Sequence, residues 1–409
     1  MADKTGPARA GRTARPEIGG AVAREIGGAV AREIEGAVAR GDGMLSGEGV
    51  SSPADGVVGP EGAAVRNVAG PLRAVHTAPP GAARPAGLRD AGLRVAMDLD
   101  SAADLGRRIH AALGRVVLGA PRAVTVAAVA AVSGGHLLVE DVPGTGKTVL
   151  ARALAVTLGA ELSRVQGHVD LLPTDVTGVS VYSPADGQWQ FQPGPVFAPV
   201  VLLDELNRTP PRAQSALLEA MAEGQVTVDG ERWPLPRPHL VIATQNPAGQ
   251  LGTFPLVESQ LDRFALSTPL GYPDPATELR LTLGEGGHEE LGRLRPVCSV
   301  EDWGRLVSAC TAVPVAPAVA EYAVALTRAT RAIQPVRLGA SPRASIALVR
   351  SAQAHALLAF RQHVAPCDVQ AMAVAGLAHR LVGGAADGTL DRRAAVLGEV
   401  LRTVPAPRP

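Results

Sequence analysis

Residues Asp141-Val142-Pro143-Gly144-Thr145-Gly146-Lys147-Thr148 combine a glycine-rich turn, an ammonium and a hydroxyl. An apolar run precedes this octapeptide and a helical pattern follows it, which is the context a phosphate-binding loop requires. In that geometry the backbone N–H groups of residues 144–148 surround phosphate oxygens at a helix N-terminus. Lys147 would reach the β- and γ-phosphates of a nucleotide, and the Thr148 hydroxyl would ligate Mg2+. Only two of the 39 basic residues are lysines, Lys4 and Lys147. Arginine replaces lysine in most surface roles, but its flat fork is less suited to a point between phosphates. Asp141 occupies the position of the usual first glycine, and the expectation is that it keeps the turn by tolerating left-handed backbone.

A second group of residues could act on the bond between phosphates. The apolar run 200–203 ends in Asp204-Glu205. At the carboxyl edge of a sheet, Asp204 would hold the metal shell and Glu205 would polarise a water for in-line attack. The apolar run 240–243 leads to Asn246, whose amide would orient that water, or which simply forms a turn before Pro247. Arg263, in ESQLDRF at 258–264, is placed at a helix end, where it would stabilise transition-state charge across a subunit boundary or form a surface ion pair. Arg343 opens a later helix at GASPR, 339–343, and is either a reporter of nucleotide state or a solvated side chain.

These residues need a parallel sheet to bring them together. Short apolar strands at 137–140, 162–166, 200–203, 240–243 and 265–267 alternate with helical segments, so the expected fold class is α/β with a five-stranded parallel sheet flanked by helices. Leu105, Ile109 and Leu113 give an amphipathic first helix, and 123–132 a buried second one. Another helix is expected with Thr209 as cap and Pro210 at its first position, running to Glu223. Two hairpins interrupt the alternation, at 179–191 and at 225–233, the second split at Asp229-Gly230. After residue 272 the strands stop, and proline-punctuated helices run to about 403. The chain therefore divides into a leader (1–96), an α/β nucleotide-binding domain (97–272) and a small helical domain (273–405). The leader holds three tandem octapeptides (EIGGAVAR twice, then EIEGAVAR) and a stretch rich in Gly, Pro and Ala. Such a composition buries too little apolar surface to fold.

Composition excludes some classes. Formal net charge is zero, so no global field draws the chain to nucleic acid or anionic lipid. No apolar run is long enough to cross a membrane. The three cysteines lack metal-ligand spacing and fit a reducing compartment. The expected location is the cytoplasm.

The motif series EDVPGTGKT, LLPTDVTG, GPVF, DELNRTPPRAQSALLEAM, ATQNP, ESQLDRF and GASPRA resembles the MoxR family of AAA+ ATPases across residues 98–400, about three quarters of the chain. The resemblance implies an AAA+ P-loop fold with inserted β-hairpins and a helical lid, and ATP hydrolysis with Mg2+. It makes Lys147 and Thr148 the Walker A pair, Asp204 and Glu205 the Walker B pair, Asn246 sensor 1, Arg263 the arginine finger and Arg343 sensor 2, in cis or in trans. It also implies a homo-oligomeric ring, a hexamer, and chaperone-like remodelling or maturation of a partner protein carrying a von Willebrand factor A domain. A metal-chelatase motor or a nucleic-acid motor of the same clade would share these features. The hairpin tips Ala185-Asp186-Gly187 and Asp229-Gly230-Glu231 carry no basic residue, which argues against tracking along a strand.

Overall fold

The structure, a computed structural model, describes residues 96–408 apart from 186, 247–251, 335 and 384–388. The octapeptide repeats thus lie outside the described residues. Five parallel strands form the central sheet: β1 (Leu137–Glu140), β2 (Leu162–Gln166), β5 (Val200–Asp204), β8 (Leu240–Gln245) and β9 (Leu266–Thr268), in the order β2-β5-β8-β1-β9. Every residue of β5 is buried, because helices cover both faces of a parallel sheet and leave no solvated side. The connections after β1 and β2 include α3 (Lys147–Thr157) and the short α4 (Pro173–Thr177), and the one after β5 includes α5 (Pro211–Glu223). The latter begins one residue later than the sequence pattern indicates: Pro210, not Thr209, is its cap, and no side chain caps it. A proline with extended backbone ends the preceding turn, and a second proline sits at the first helical position.

The helix α1 (Leu99–Val116) is capped by Asp98, whose carboxylate accepts from the Ser101 N–H at 2.8 Å. It presents its buried stripe to α2 (Pro121–Ser133), which is buried almost throughout, as expected of a helix apolar on all sides. Two antiparallel hairpins project from the sheet region: β3 (Gly178–Ser183) with β4 (Gln188–Pro193), and β6 (Gln225–Val228) with β7 (Glu231–Pro234). Asp229 and Gly230 have φ of 52° and 82°, the positive pair that a two-residue hairpin turn demands. A short helix, α6 (Glu258–Leu261), precedes β9. The helical region then contains α7 (Pro275–Thr282), α8 (Gly287–Arg293), α9 (Val300–Thr311), α10 (Pro317–Ala329), α11 (Pro342–Leu358), α12 (Pro366–Leu377) and α13 (Leu390–Thr403). Its core is continuous with the one under the sheet. Trp303 of α9, for example, is buried and donates its indole N–H to Ala131 O at 2.8 Å. Among the described residues no helix is long and apolar enough to cross a membrane.

One half-buried histidine is expected to make the fold acid-sensitive. His136, at the foot of β1, accepts the Val241 N–H on Nδ1 at 3.2 Å, so its proton sits on Nε2, 3.3 Å from Met221 O. Burial, with help from His239 whose ring is 5.9 Å away, lowers its pKa from 6.5 to about 4. Protonation would place a second N–H against the Val241 donor. Because the folded pKa lies below the unfolded one, the neutral ring's contribution is complete above 6.5 and is lost as pH falls toward 4. The loss is at most ~3 kcal/mol. Urea melts at about pH 7 and about pH 4.5 should show a smaller acid loss in His136→Asn than in the parent, since Oδ1 can replace Nδ1 as acceptor without titrating.

Candidate active site

The loop between β1 and α3 is built for close approach to an anion. Gly144 and Gly146 take φ of 86° and 94°, and a Cβ at Gly144 would meet nothing within 4 Å. Gly146 is the cap of α3, and no side chain bonds to the helix's first N–H groups, which leaves those donors and the positive end of the helix dipole for a ligand. The expectation for Asp141 is corrected here. It does not adopt left-handed backbone. Its carboxylate accepts the N–H groups of Val142 (2.8 Å), Leu270 (2.8 Å) and Gly271 (2.7 Å). Asp141 thus ties the loop to the segment that leaves the sheet for the helical region, and its charge is satisfied by backbone donors rather than aimed at phosphate. One residue earlier, Glu140 pairs with Arg393 of α13 at 2.5 Å, with both side chains largely buried.

Lys147 is buried and donates to Asp141 O (2.6 Å), Val142 O (2.7 Å) and Asn246 Oδ1 (3.2 Å). Burial lowers its pKa, an effect opposed by the nearby carboxylates of Asp141, Asp204 and Glu205. Asn246 also donates through Nδ2 to Glu205 Oε1 at 3.2 Å. The asparagine therefore bridges the lysine and the glutamate, which belong to segments nearly sixty residues apart. Glu205 follows β5 with φ of 55°, a left-handed conformation that is uncommon for a residue with a Cβ. That turn carries its side chain away from the strand and over the sheet edge toward Asn246. Arg208 stands 3.3 Å from its other oxygen.

Three residues that the sequence reading passed over complete the cluster. Thr244, fully buried, accepts the Glu205 N–H at 2.9 Å and donates to Asp204 Oδ1 at 2.7 Å. Arg164 at the end of β2 donates to Asp204 Oδ2 at 2.6 Å and to Gln166 Oε1 at 2.7 Å. Gln166 in turn reaches Glu205 Oε2 at 3.3 Å. The register explains the meeting: Gln166 pairs with Asp204, and Leu203 pairs with Ala243, so the ends of β2, β5 and β8 lie side by side. The available signal was polar side chains at the carboxyl ends of predicted strands, but only strand order shows which ends are neighbours.

The other residues named from sequence fall into two sets. Thr148 adjoins Lys147 at the start of α3, and its hydroxyl makes no hydrogen bond to the described residues. Val142, Pro143 and Thr145 form the body of the loop, with Thr145 Oγ1 donating to Val142 O at 3.3 Å. Arg263 and Arg343 stand apart from this cluster. Arg263 lies two residues past α6, and its Nη1 is buried without a hydrogen-bond partner among the described residues. Arg343 is exposed in the first turn of α11.

Comparison with known proteins bears on the fold and the family. Residues 136–266 match the family described as "ATPase family associated with various cellular activities (AAA)", and residues 328–397 match the AAA lid domain. YeaC of Bacillus subtilis is 46% identical over 66% of this chain and 84% of its own length. Chaperone MoxR1 of Mycobacterium tuberculosis is 36% identical, covering 72% of this chain and 80% of its own. A crystal structure from Cytophaga hutchinsonii superposes with a TM-score of 0.65 at 32% identity, covering 75% of this chain and 96% of that one. The fold, the loop geometry and these relatives lead to one assignment: the chain belongs to the MoxR family of AAA+ ATPases.

Proposed function

We propose that this ATPase works as a ring of identical subunits, six by family resemblance, and uses hydrolysis to remodel or mature another protein in the cytoplasm. The nucleotide-binding part is residues 97–272, the lid 273–405, and 1–96 a leader without a catalytic role. The N–H groups of residues 144–148 and the Lys147 ammonium would hold the phosphates, the ammonium exchanging its carbonyl acceptors for phosphate oxygens. Thr148 and Asp204 could hold a Mg2+ ion: one offers a hydroxyl with no described partner, the other a carboxylate oriented by Thr244 whose second oxygen would exchange Arg164 for the metal shell. The metal when bound would neutralise charge on the β- and γ-oxygens. Glu205 would take a proton from water, Asn246 would hold Glu205 and that water in line, and Arg263 would act on the nucleotide of the adjacent copy. Arg343 would report nucleotide state from the lid.

The observation that carries the remodelling reading is the first hairpin. Tyr182 and Trp189 are cross-strand partners with ring centroids 5.5 Å apart, yet they remain 48% and 69% exposed. Packing and exposure coexist, so the pair forms a firm aromatic face open to a polypeptide. Two residues further along β4, on the same face as Trp189, Phe191 stacks on Trp233 of β7 at 4.5 Å, which joins the two hairpins, and β7 leads into β8 and Asn246. A partner with a von Willebrand factor A domain follows from the family resemblance. Glu205→Gln protein, held with ATP, is expected to retain specific partner proteins, identifiable by mass spectrometry. Adding Trp189→Ala should reduce that retention about tenfold with ATP binding unchanged. Equal retention by the two proteins would refute the hairpin's role. Retention of DNA or of a chelatase substrate complex instead would favour a different motor of the clade.

A further inference from the structure

The lid holds the segment that carries Arg263 through a set of buried and half-buried side-chain bonds. Arg380, in the turn after α12, is buried with its side chain 3% exposed. Its five N–H groups all find acceptors. Nε donates to Asp262 Oδ1 at 2.8 Å, and Nη2 donates to Asp262 O at 3.2 Å and Phe264 O at 2.7 Å. Nη1 donates to Ala265 O at 3.3 Å and to Gly376 O. His379 adds a contact to Phe264 O at 3.0 Å. The carbonyls of 262, 264 and 265 bracket Arg263, so the guanidinium fixes the backbone on both sides of it. A fully satisfied buried arginine has one arrangement rather than many.

The carboxylate of Asp262 has a second partner. Ser341 Oγ lies 2.9 and 2.8 Å from its two oxygens. Ser341 is the cap residue of α11, but its hydroxyl makes no capping bond to its own helix. It is directed at Asp262 instead, although a serine in that position ordinarily bonds the helix's first N–H groups. Arg343 stands two residues further on, in the first turn of the same helix. Asp262 thus joins the start of α11, the Arg380 turn and the backbone of Arg263.

We propose that Asp262 is a positioning residue: it couples the lid of each subunit to the arginine that subunit offers its neighbour, so that lid movement on nucleotide turnover relocates Arg263. The inference rests on the reading that Arg263 acts in trans. In that role Asp262 contributes little to its own subunit's nucleotide affinity and much to turnover in the next subunit.

The test is a double-variant cycle in the full chain. Asp262→Asn should leave the affinity for a fluorescent ATP analogue within about twofold of the parent and lower kcat about tenfold, an effect absent when Arg263 is already gone. Asp262→Asn combined with Arg263→Ala should therefore turn over no more slowly than Arg263→Ala alone. Ser341→Ala removes only the hydroxyl contact and serves where Asp262→Asn fails to fold; it should lower kcat about threefold with the same dependence on Arg263. A further loss of fivefold or so in the double variants, or a parental kcat in both single variants beside a slow Arg263→Ala, would overturn the inference alone. A parental kcat in Arg263→Ala would instead overturn the reading beneath it, and the inference with it.

Discussion

Glu205→Gln is expected to lower ATP turnover by ~10²–10⁴-fold while leaving ATP affinity within about threefold of the parent. Gln is isosteric, and its amide oxygen can still accept from Asn246 Nδ2, now 3.2 Å from Glu205 Oε1. What it cannot do is take a proton from water. The loss therefore falls on kcat and not on binding, which separates this residue from those that hold phosphate. Backbone geometry provides the control. Glu205 sits at φ 55°, so glycine there relieves about 1 kcal/mol of left-handed strain while also removing the carboxylate. Glu205→Gly should accordingly be as inactive as the glutamine variant without unfolding earlier. Single-turnover kinetics with labelled ATP, beside thermal melts, check both points. A Glu205→Gln enzyme within tenfold or so of the parental rate would remove Glu205 from the catalytic role.

Lys147→Ala should abolish measurable ATPase activity and weaken ATP binding ~10–100-fold. The affinity estimate takes one or two charge-assisted contacts at about 1.5–3 kcal/mol each, discounted for water that enters the space. Two effects add. The phosphates lose their ammonium, and the carboxylates of Asp204 and Glu205, whose charges favour the charged ammonium, are left to repel an anion. Lys147 also supplies a donor to two loop carbonyls and to Asn246, so a modest fall in melting temperature should accompany the loss. The same variant tests the ring. Lys147→Ala subunits keep Arg263, and Arg263→Ala subunits keep the loop. Mixing the inactive Lys147→Ala protein with the slow Arg263→Ala protein should therefore raise activity above the sum of the two if the arginine acts across a subunit boundary. No recovery over a range of ratios would exclude action in trans.

How much of this was legible in the chain differs from residue to residue. Lys147 and Glu205 stand in local patterns whose chemistry is written in consecutive residues: a glycine-rich turn before a helix, and a buried strand ending in two carboxylates. The strands at 137–140 and 162–166 were readable to the residue: the first is an apolar run, as in a parallel strand covered on both faces, and the second is a mixed edge strand bounded by helical segments. The hairpin turn at Asp229-Gly230 was equally plain, since few residues accept its positive φ. Arg164, Gln166 and Thr244 were not legible. Each is an ordinary polar residue in a strand, and its meaning depends on β2 lying beside β5 and β5 beside β8. For Asp141 the position was legible and the role was not. Its three N–H donors include two from residues 270–271, which no local pattern brings near.

The sequence by itself determined the groups available: an ammonium in a glycine-rich loop, two carboxylates at a strand end, and an α/β scaffold with strands in the right places. Those features are local, set by backbone freedom, apolar periodicity and charge within a few residues. The tertiary structure alone decided the connections. It placed Asn246 between Lys147 and Glu205, turned Asp141 away from the phosphate position and onto the exit from the sheet, and joined Asp262 to the lid through Arg380 and Ser341. The physical reason is that buried polar groups must find partners. In a parallel sheet those partners come from strand order and from packing between layers, which leave no mark on the spacing of residues along the chain.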